Sequence, residues 1–266
     1  MLLSEPQSTP YDLQFNLFGI PVRVHPLFFL LPLILGQGIL RDPSITNTGV
    51  ALLLLCGVFF VSILVHEMGH ALAYRFYKMP ARIVLYWMGG LAISDFGSWR
   101  GARAGRIGPA QKIVISFAGP LAGFLLAGLL VVIVLFALGG KISLEFFGVF
   151  PLLLPDLKGT PHAGREALVL VLFIGLFCNV FWNVLNLIPV FPLDGGQIAR
   201  NFFTLVDPRG GLQTSLILSI LAGGALAVFG MMQQAFFMTI LFGMMAYSSY
   251  QELQYHRGGG GYGGGW

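Results

Sequence analysis

Stretches of about 20 apolar residues recur along this chain, and backbone inside hydrocarbon must satisfy its own hydrogen bonds, so each reads as a membrane-crossing helix. The candidates run from Pro26 to Leu40, Val50 to Tyr77, Ile113 to Leu138, Ala167 to Ile188, Leu212 to Phe229 and Ala235 to Tyr250. That makes about six transmembrane helices. Composition agrees, since only 10% of the 266 residues are charged where a soluble domain carries about 25%. The expected fold class is an all-α polytopic membrane protein. Two short β elements interrupt it, near 15–24 and 81–94. In the first, Phe18, Ile20, Val22 and Val24 alternate with Gly19, Pro21 and Arg23. In the second, Arg82 to Met88 reads as a strand, Gly89-Gly90 as its turn, and Leu91 to Ser94 as a return strand. Residues 1–252 read as one membrane core and 253–266, closing on Gly258 to Trp266, as a Gly-rich flexible tail. Met1 to Arg23 lacks the pattern of a cleaved leader.

A net charge of +4 suits loops facing anionic lipid better than a nucleic-acid surface, so the bilayer is the expected partner and nucleic acid is not. Cys56 and Cys178 both lie in apolar runs and make no disulfide framework. Lys and Arg gather after the second span: Arg75, Lys78, Arg82, Arg100, Arg103, Arg106 and Lys112 face one acid, Asp95. The positive-inside tendency puts that connection in the cytosol, with Arg200, Arg209 and Arg257 and both termini. Lys141 and Lys158 then lie outside. The expected location is the cell (plasma) membrane, as a multi-pass integral protein.

His66-Glu67-Met68-Gly69-His70 sits inside the second span. Imidazoles four residues apart share one helical face and can reach one metal, while the adjacent carboxylate can take a proton from a water that the metal activates. The alternative is a pair of helix-packing histidines beside a lipid-facing glutamate. Each such group costs on the order of 2.5 kcal/mol at the bilayer centre if uncompensated, which favours function over packing. The motif lies about 10 residues from the cytosolic helix end, or about 15 Å deep at the helical rise, so water must enter from that side.

Catalytic zinc usually takes three protein ligands. His25, His162 and His256 fall outside membrane-depth segments, and Asp194 is the better third candidate. Pro189 and Pro192 stop the fourth span, and Gly195-Gly196 lets the chain turn with the carboxylate pointing inward. Asp194 could instead simply cap the segment Gln197 to Phe203. Asn179, Asn183 and Asn186 form a polar stripe at i, i+4 and i+7. For the first two, interhelical hydrogen bonding is an equally good account. Asn186, nearer Asp194, is a candidate donor to a substrate carbonyl or oxyanion.

Together, His66-Glu67-Met68-Gly69-His70 and the run from Asn186 through Pro189, Pro192 and Leu193 to Asp194-Gly195 resemble the site-2 protease family of intramembrane zinc metalloproteases. Gly19 to Pro26, Gly89-Gly90 and Ala118-Gly119-Pro120 extend the likeness over about residues 15 to 210. The resemblance implies a zinc metalloendopeptidase holding one Zn2+ per chain on His66, His70 and Asp194. Glu67 would be the general base and Asn186 an aid at the scissile carbonyl. Gly89 and Gly90 would lie in a hairpin whose edge takes an unwound substrate by strand addition. The implied substrate is a single-span membrane protein cut in or near its span, and 1–252 becomes the protease core, without a PDZ or C-terminal regulatory domain. One departure is Gly123, where many relatives carry Asn three residues after the Gly-Pro. Two other classes use the same residues differently: a membrane metal-ion transporter would need ligands along a path, whereas here the acids cluster at one depth; an inactive scaffold would not need Glu67.

Overall fold

A computed structural model describes residues 5–40, 47–87, 89–94, 107–148, 150–157 and 165–257. The Gly-rich run 258–266 and the expected cytosolic charges Asp95, Arg100, Arg103 and Arg106 lie outside the described residues, as do Lys158 and His162. Among the described residues, four helices are long and apolar enough to cross a membrane: Thr48–Phe76, Pro109–Ala137, Glu166–Asn186 and Gly211–Met232. They match the second to fifth expected spans, and they make the chain an integral membrane protein. The first expected span is a 3-10 turn, Pro26–Phe29, followed by α1 (Leu30–Leu35) and α2 (Gln37–Leu40). The last is α9 (Phe236–Arg257), whose final turns carry Gln251, Glu252, Gln254, His256 and Arg257 and so are far more polar than its start. It runs five residues into the segment expected as tail, 253–257.

The chain forms two compact units, one of Met1–Gly105 with Ala118–Leu185 and one of Arg106–Phe117 with Asn186–Trp266. In the first, α3 (Thr48–Phe76) is a helix of 29 residues. Its start is fixed by Asn47, whose side chain accepts a hydrogen bond from Val50 N–H at 3.0 Å, a cap worth about 1 kcal/mol. Beside it stands a four-stranded sheet in the order β1 (Leu13–Leu17), β2 (Ile20–Val24), β3 (Ala81–Tyr86), β4 (Gly89–Ser94). The segment expected near 15–24 is thus a hairpin, turning at Phe18 and Gly19 with φ of 51° and 76°, the left-handed pair that matches strand twist. Ile20, Val22 and Val24 are buried while Pro21 and Arg23 are not, so one face of β2 packs inward. β2 then runs parallel to β3, with Val22 opposite Ile83.

The second hairpin corrects the sequence expectation. Tyr86 pairs with Gly89 and Leu85 with Gly90, so both glycines lie in the ladder of β4 and are not its turn. Glycine in a strand often marks a close approach, and here the neighbour is a side chain of α3. A further hairpin, β5 (Lys141–Phe147) with β6 (Phe150–Asp156), follows α4 (Pro109–Val132) and its π-turn extension Ile133–Ala137. It leads to α5 (Arg165–Leu176), a π turn Phe177–Phe181 and α6 (Trp182–Asn186). Val134, Leu157 and Leu172 form a buried cluster there.

In the second unit, α7 (Asp194–Val206), α8 (Gly211–Met232) and α9 follow a loop built on a cis Phe191–Pro192 bond. Phe191 N–H donates to Ser219 Oγ at 2.8 Å, and Ser219 is paired with Ser249 at 2.8 Å. The Arg200 guanidinium lies 5.0 Å from the centre of the Phe191 ring and 2.9 Å from Glu252. A Cβ on Gly195 or Gly196 would strike the backbone of Leu187–Ile188 or Val190–Phe191, so the loop folds back on the first turn of α7.

Outside the spans, Asp12 fastens the first hairpin. Burial alone would raise its carboxyl, but bonds from the Thr9 hydroxyl, Thr9 N–H and Arg23, with the Arg23 charge, outweigh burial and hold it below the usual carboxylate range. A depressed folded pKa stabilises above the unfolded value and loses that contribution as pH falls through the folded one. Asp12→Asn should therefore lower the thermal midpoint in detergent near neutral pH, and the gap from wild type should close on acidification through the carboxylate range. A gap independent of pH would show that the ion pair is not its source.

Candidate metal centre

α3 is apolar almost throughout, and the polar residues of its middle turns, Ser62, His66, Glu67 and His70, fall where protein covers them. His66, Glu67 and His70 are 5%, 6% and 7% exposed, so all three sit in low dielectric where a paired or ligating role is required. Among the described residues they form a potential metal-holding group whose ligand atoms all lie within 4.8 Å of one another. The Nε2 atoms of His66 and His70 are 3.2 Å apart. Two nitrogens about 2.0–2.1 Å from a tetrahedral zinc would stand about 3.3 Å from each other. The pair is spaced as two corners of that tetrahedron, so these residues fit zinc.

Room for the group comes from glycines on the elements around α3. A Cβ on Gly119 of α4 would overlap the His70 imidazole, and one on Gly69 would meet the Ala118 carbonyl and the Ala122 methyl. The Ala118-Gly119-Pro120 segment, known from sequence only as a likeness, therefore has a packing role. Small residues let α3 and α4 approach until the imidazole lies against bare backbone. On the other side, a Cβ on Gly90 of β4 would overlap the Glu67 side chain. Gly89 has a φ of 117°, a backbone conformation that favours glycine. Next to them, the Tyr86 hydroxyl is pushed up to about 12, by burial first and then by the Glu67 charge, and so remains a hydrogen-bond donor.

The asparagine stripe is put to use here. His66 Nδ1 and Asn183 Oδ1 are 2.7 Å apart, and Asn183 is 1% exposed. Asn179 donates to Ser62 Oγ on α3 at 2.9 Å and to Gly175 O at 2.8 Å, which is the interhelical bonding that sequence allowed. The π turn Phe177–Phe181 holds Asn179 itself, and such turns are frequent at functional sites.

His66, Glu67, His70, Gly89 and Gly90 are thus gathered in the first unit. Asn186 and Asp194 belong to the second. Asp194 is the first residue of α7, with Leu193 at the N-cap, so it is not the N-cap that sequence offered as its alternative role. It occupies the helix end where backbone N–H groups and the macrodipole favour a carboxylate. The sequence marked Gly119 only as a likeness and Gly123 only as a departure, and did not single out Tyr86, because a contact between separate elements leaves no local signal.

Comparisons with known proteins agree with this site. The pattern of peptidase family M50 matches residues 54–230. A zinc metalloprotease of Methanocaldococcus jannaschii is 28% identical over 188 residues, 70% of this chain and 43% of the relative. A Synechocystis relative described as a candidate zinc metalloprotease is 29% identical over 194 residues, 70% of this chain and 42% of that one. The chain thus spans less than half the length of the curated relatives it matches. Among solved structures, the site-2 protease of M. jannaschii aligns with a TM-score of 0.50 at 24% identity, covering 91% of this chain and 95% of that one, which shows a shared fold.

The glycine clearances separate two functions in one experiment. Gly119→Leu should displace His70 and lower zinc content, whereas Gly90→Val should displace only the Glu67 carboxylate and leave zinc content close to wild type. Equal zinc content in both variants, measured by metal analysis of the purified protein, would show that Gly119 does not make room for a ligand.

Proposed function

The chain belongs to peptidase family M50, and from that premise we propose that it is an intramembrane zinc endopeptidase that hydrolyses a peptide bond in or near a membrane span of its substrate. The observation that carries this reading is the buried trio His66, Glu67 and His70 at zinc-like spacing inside a span-length helix. One Zn2+ per chain would be held by the imidazoles of His66 and His70 and the carboxylate of Asp194, a donor set typical of catalytic zinc. Asp194 is supported by its place opening α7 after the Pro-rich loop. When bound, zinc supplies the Lewis acidity that makes water a nucleophile near neutral pH and polarises a carbonyl.

Glu67 is the general base in this reading. It takes the proton of the attacking water and passes it to the leaving nitrogen, so bond cleavage releases a neutral amine. Asn186 donates a hydrogen bond to the carbonyl oxygen as negative charge develops on it. Gly89 and Gly90 begin β4, the last strand in the sheet order among the described residues, and an extended substrate would add along its outer edge. A helix buries its own amide bonds, so the substrate must unwind, and the fitting class is a single-span membrane protein with helix-weakening residues near the cut. The segment expected as the first span, Pro26 to Leu40, and α9 would complete six crossings, with both termini cytosolic in the cell membrane and residues 1–252 forming the protease core ahead of a flexible tail.

Glu67→Gln should keep zinc and lower cleavage of a reconstituted single-span substrate by about 10²- to 10⁴-fold; normal turnover by that variant would sink the mechanism. Asp194→Ala should lose the metal, and unchanged zinc content would place the third ligand elsewhere.

A further inference from the structure

A neutral imidazole has one N–H and one lone pair, and only the lone pair can hold a metal. Which nitrogen of His66 keeps its lone pair is decided on the neighbouring helix. The Asn183 carboxamide donates from Nδ2 to the Asn179 backbone carbonyl at 2.7 Å. A carbonyl oxygen only accepts, so the amide nitrogen must face it and Oδ1 must face away. Oδ1 lies 2.7 Å from His66 Nδ1, and an amide oxygen also only accepts. Nδ1 must therefore carry the proton. The lone pair falls on Nε2, the nitrogen 3.2 Å from its counterpart on His70.

We propose that Asn183 is a positioning residue that, oriented by the Asn179 carbonyl, holds His66 as its Nδ1–H tautomer and aims Nε2 at the metal. The inference rests on the reading of His66 and His70 as zinc ligands. Two further features support it. The carboxamide occupies the volume where a Cβ on Gly123 of α4 would be, so α4 walls it in and it cannot swing aside. Asn179 in turn donates to Ser62 Oγ, and Ser62 lies one turn before His66 on α3. Two rungs, Ser62 to Asn179 and His66 to Asn183, thus tie the same faces together and fix both position and rotation of the ring. Accepting a hydrogen bond from Nδ1–H also makes Nε2 the stronger donor to a cation.

The test uses the full chain in detergent micelles, loaded with zinc alone and titrated against a competing chelator. Asn183→Leu, which deletes the acceptor at similar volume, is expected to weaken zinc binding by about 10- to 100-fold. Asn183→Asp, which keeps an oxygen facing Nδ1–H but loses the donor to the Asn179 carbonyl, is expected to fall between Asn183→Leu and wild type. A packing role alone would weaken both variants alike or neither, and either result overturns the proposal. A second measurement asks nothing of position 183. In metal-free wild-type protein with isotope-labelled histidine, the nitrogen NMR shifts of His66, assigned by their loss in His66→Gln, should show a protonated Nδ1 and a bare Nε2. The opposite tautomer overturns the proposal. Failure of wild-type protein to bind zinc at all would instead overturn the metal reading beneath it.

Discussion

Two imidazoles and a carboxylate on an apolar helix must be satisfied by protein, because hydrocarbon offers them nothing. That requirement organises the first unit around one stretch of α3. The face bearing His66 is met by asparagine from α6, His70 lies against the bare backbone of Gly119, and Glu67 projects beside Gly90 of the sheet. Each neighbour contributes either a hydrogen bond or a gap. The sheet is held in place for this purpose from a distance. Arg75, at the end of α3, donates to the Phe18 carbonyl in the first hairpin, and Glu5 bridges Arg23 of β2 to Arg82 of β3 at 2.7 Å each.

The same demand explains why the backbone of the Pro-rich loop before α7 is so heavily pinned. A chain that leaves a helix at Asn186 and runs on through Pro189 must find partners for its backbone. Val190 N–H reaches Ile188 O at 2.7 Å, Leu193 N–H reaches Val190 O at 2.8 Å, and Phe191 N–H uses a serine hydroxyl of α8. Ser219 accepts that bond and still has a proton to place, which Ser249 is positioned to accept. The Pro and Gly residues read from sequence as a turn are therefore a rigid mount for the start of a helix.

Much of this was legible in the sequence, and the reasons differ by element. Long apolar runs declared α3, α4 and α8 because a span needs length and little else. His66, Glu67 and His70 declared themselves because the helical period puts i and i+4 on one face. The hairpin of β5 and β6 stayed hidden, since Pro151, Pro155, Lys141 and Asp156 make 141–156 look like a loop and nothing nearby announces its partner. Gly89-Gly90 was misread as a turn for a related reason: glycine signals both reversal and close approach, and only the position of Glu67 tells them apart. The parallel pairing of β2 with β3 and the bond from His66 to Asn183 join residues about 60 and 117 apart in the chain, distances over which local pattern carries no information.

Gly123 first looked like a missing polar group on the third span. It is better seen as half of a shared slot. One volume between α4 and α6 can hold a single carboxamide, and this chain supplies it from α6 while α4 supplies the vacancy. Positions 123 and 183 are consequently not free to drift separately: a larger residue at one demands a smaller one at the other. Descent can move the amide from one helix to its neighbour only by passing both changes together, or by crossing a state in which the slot is overfilled or empty.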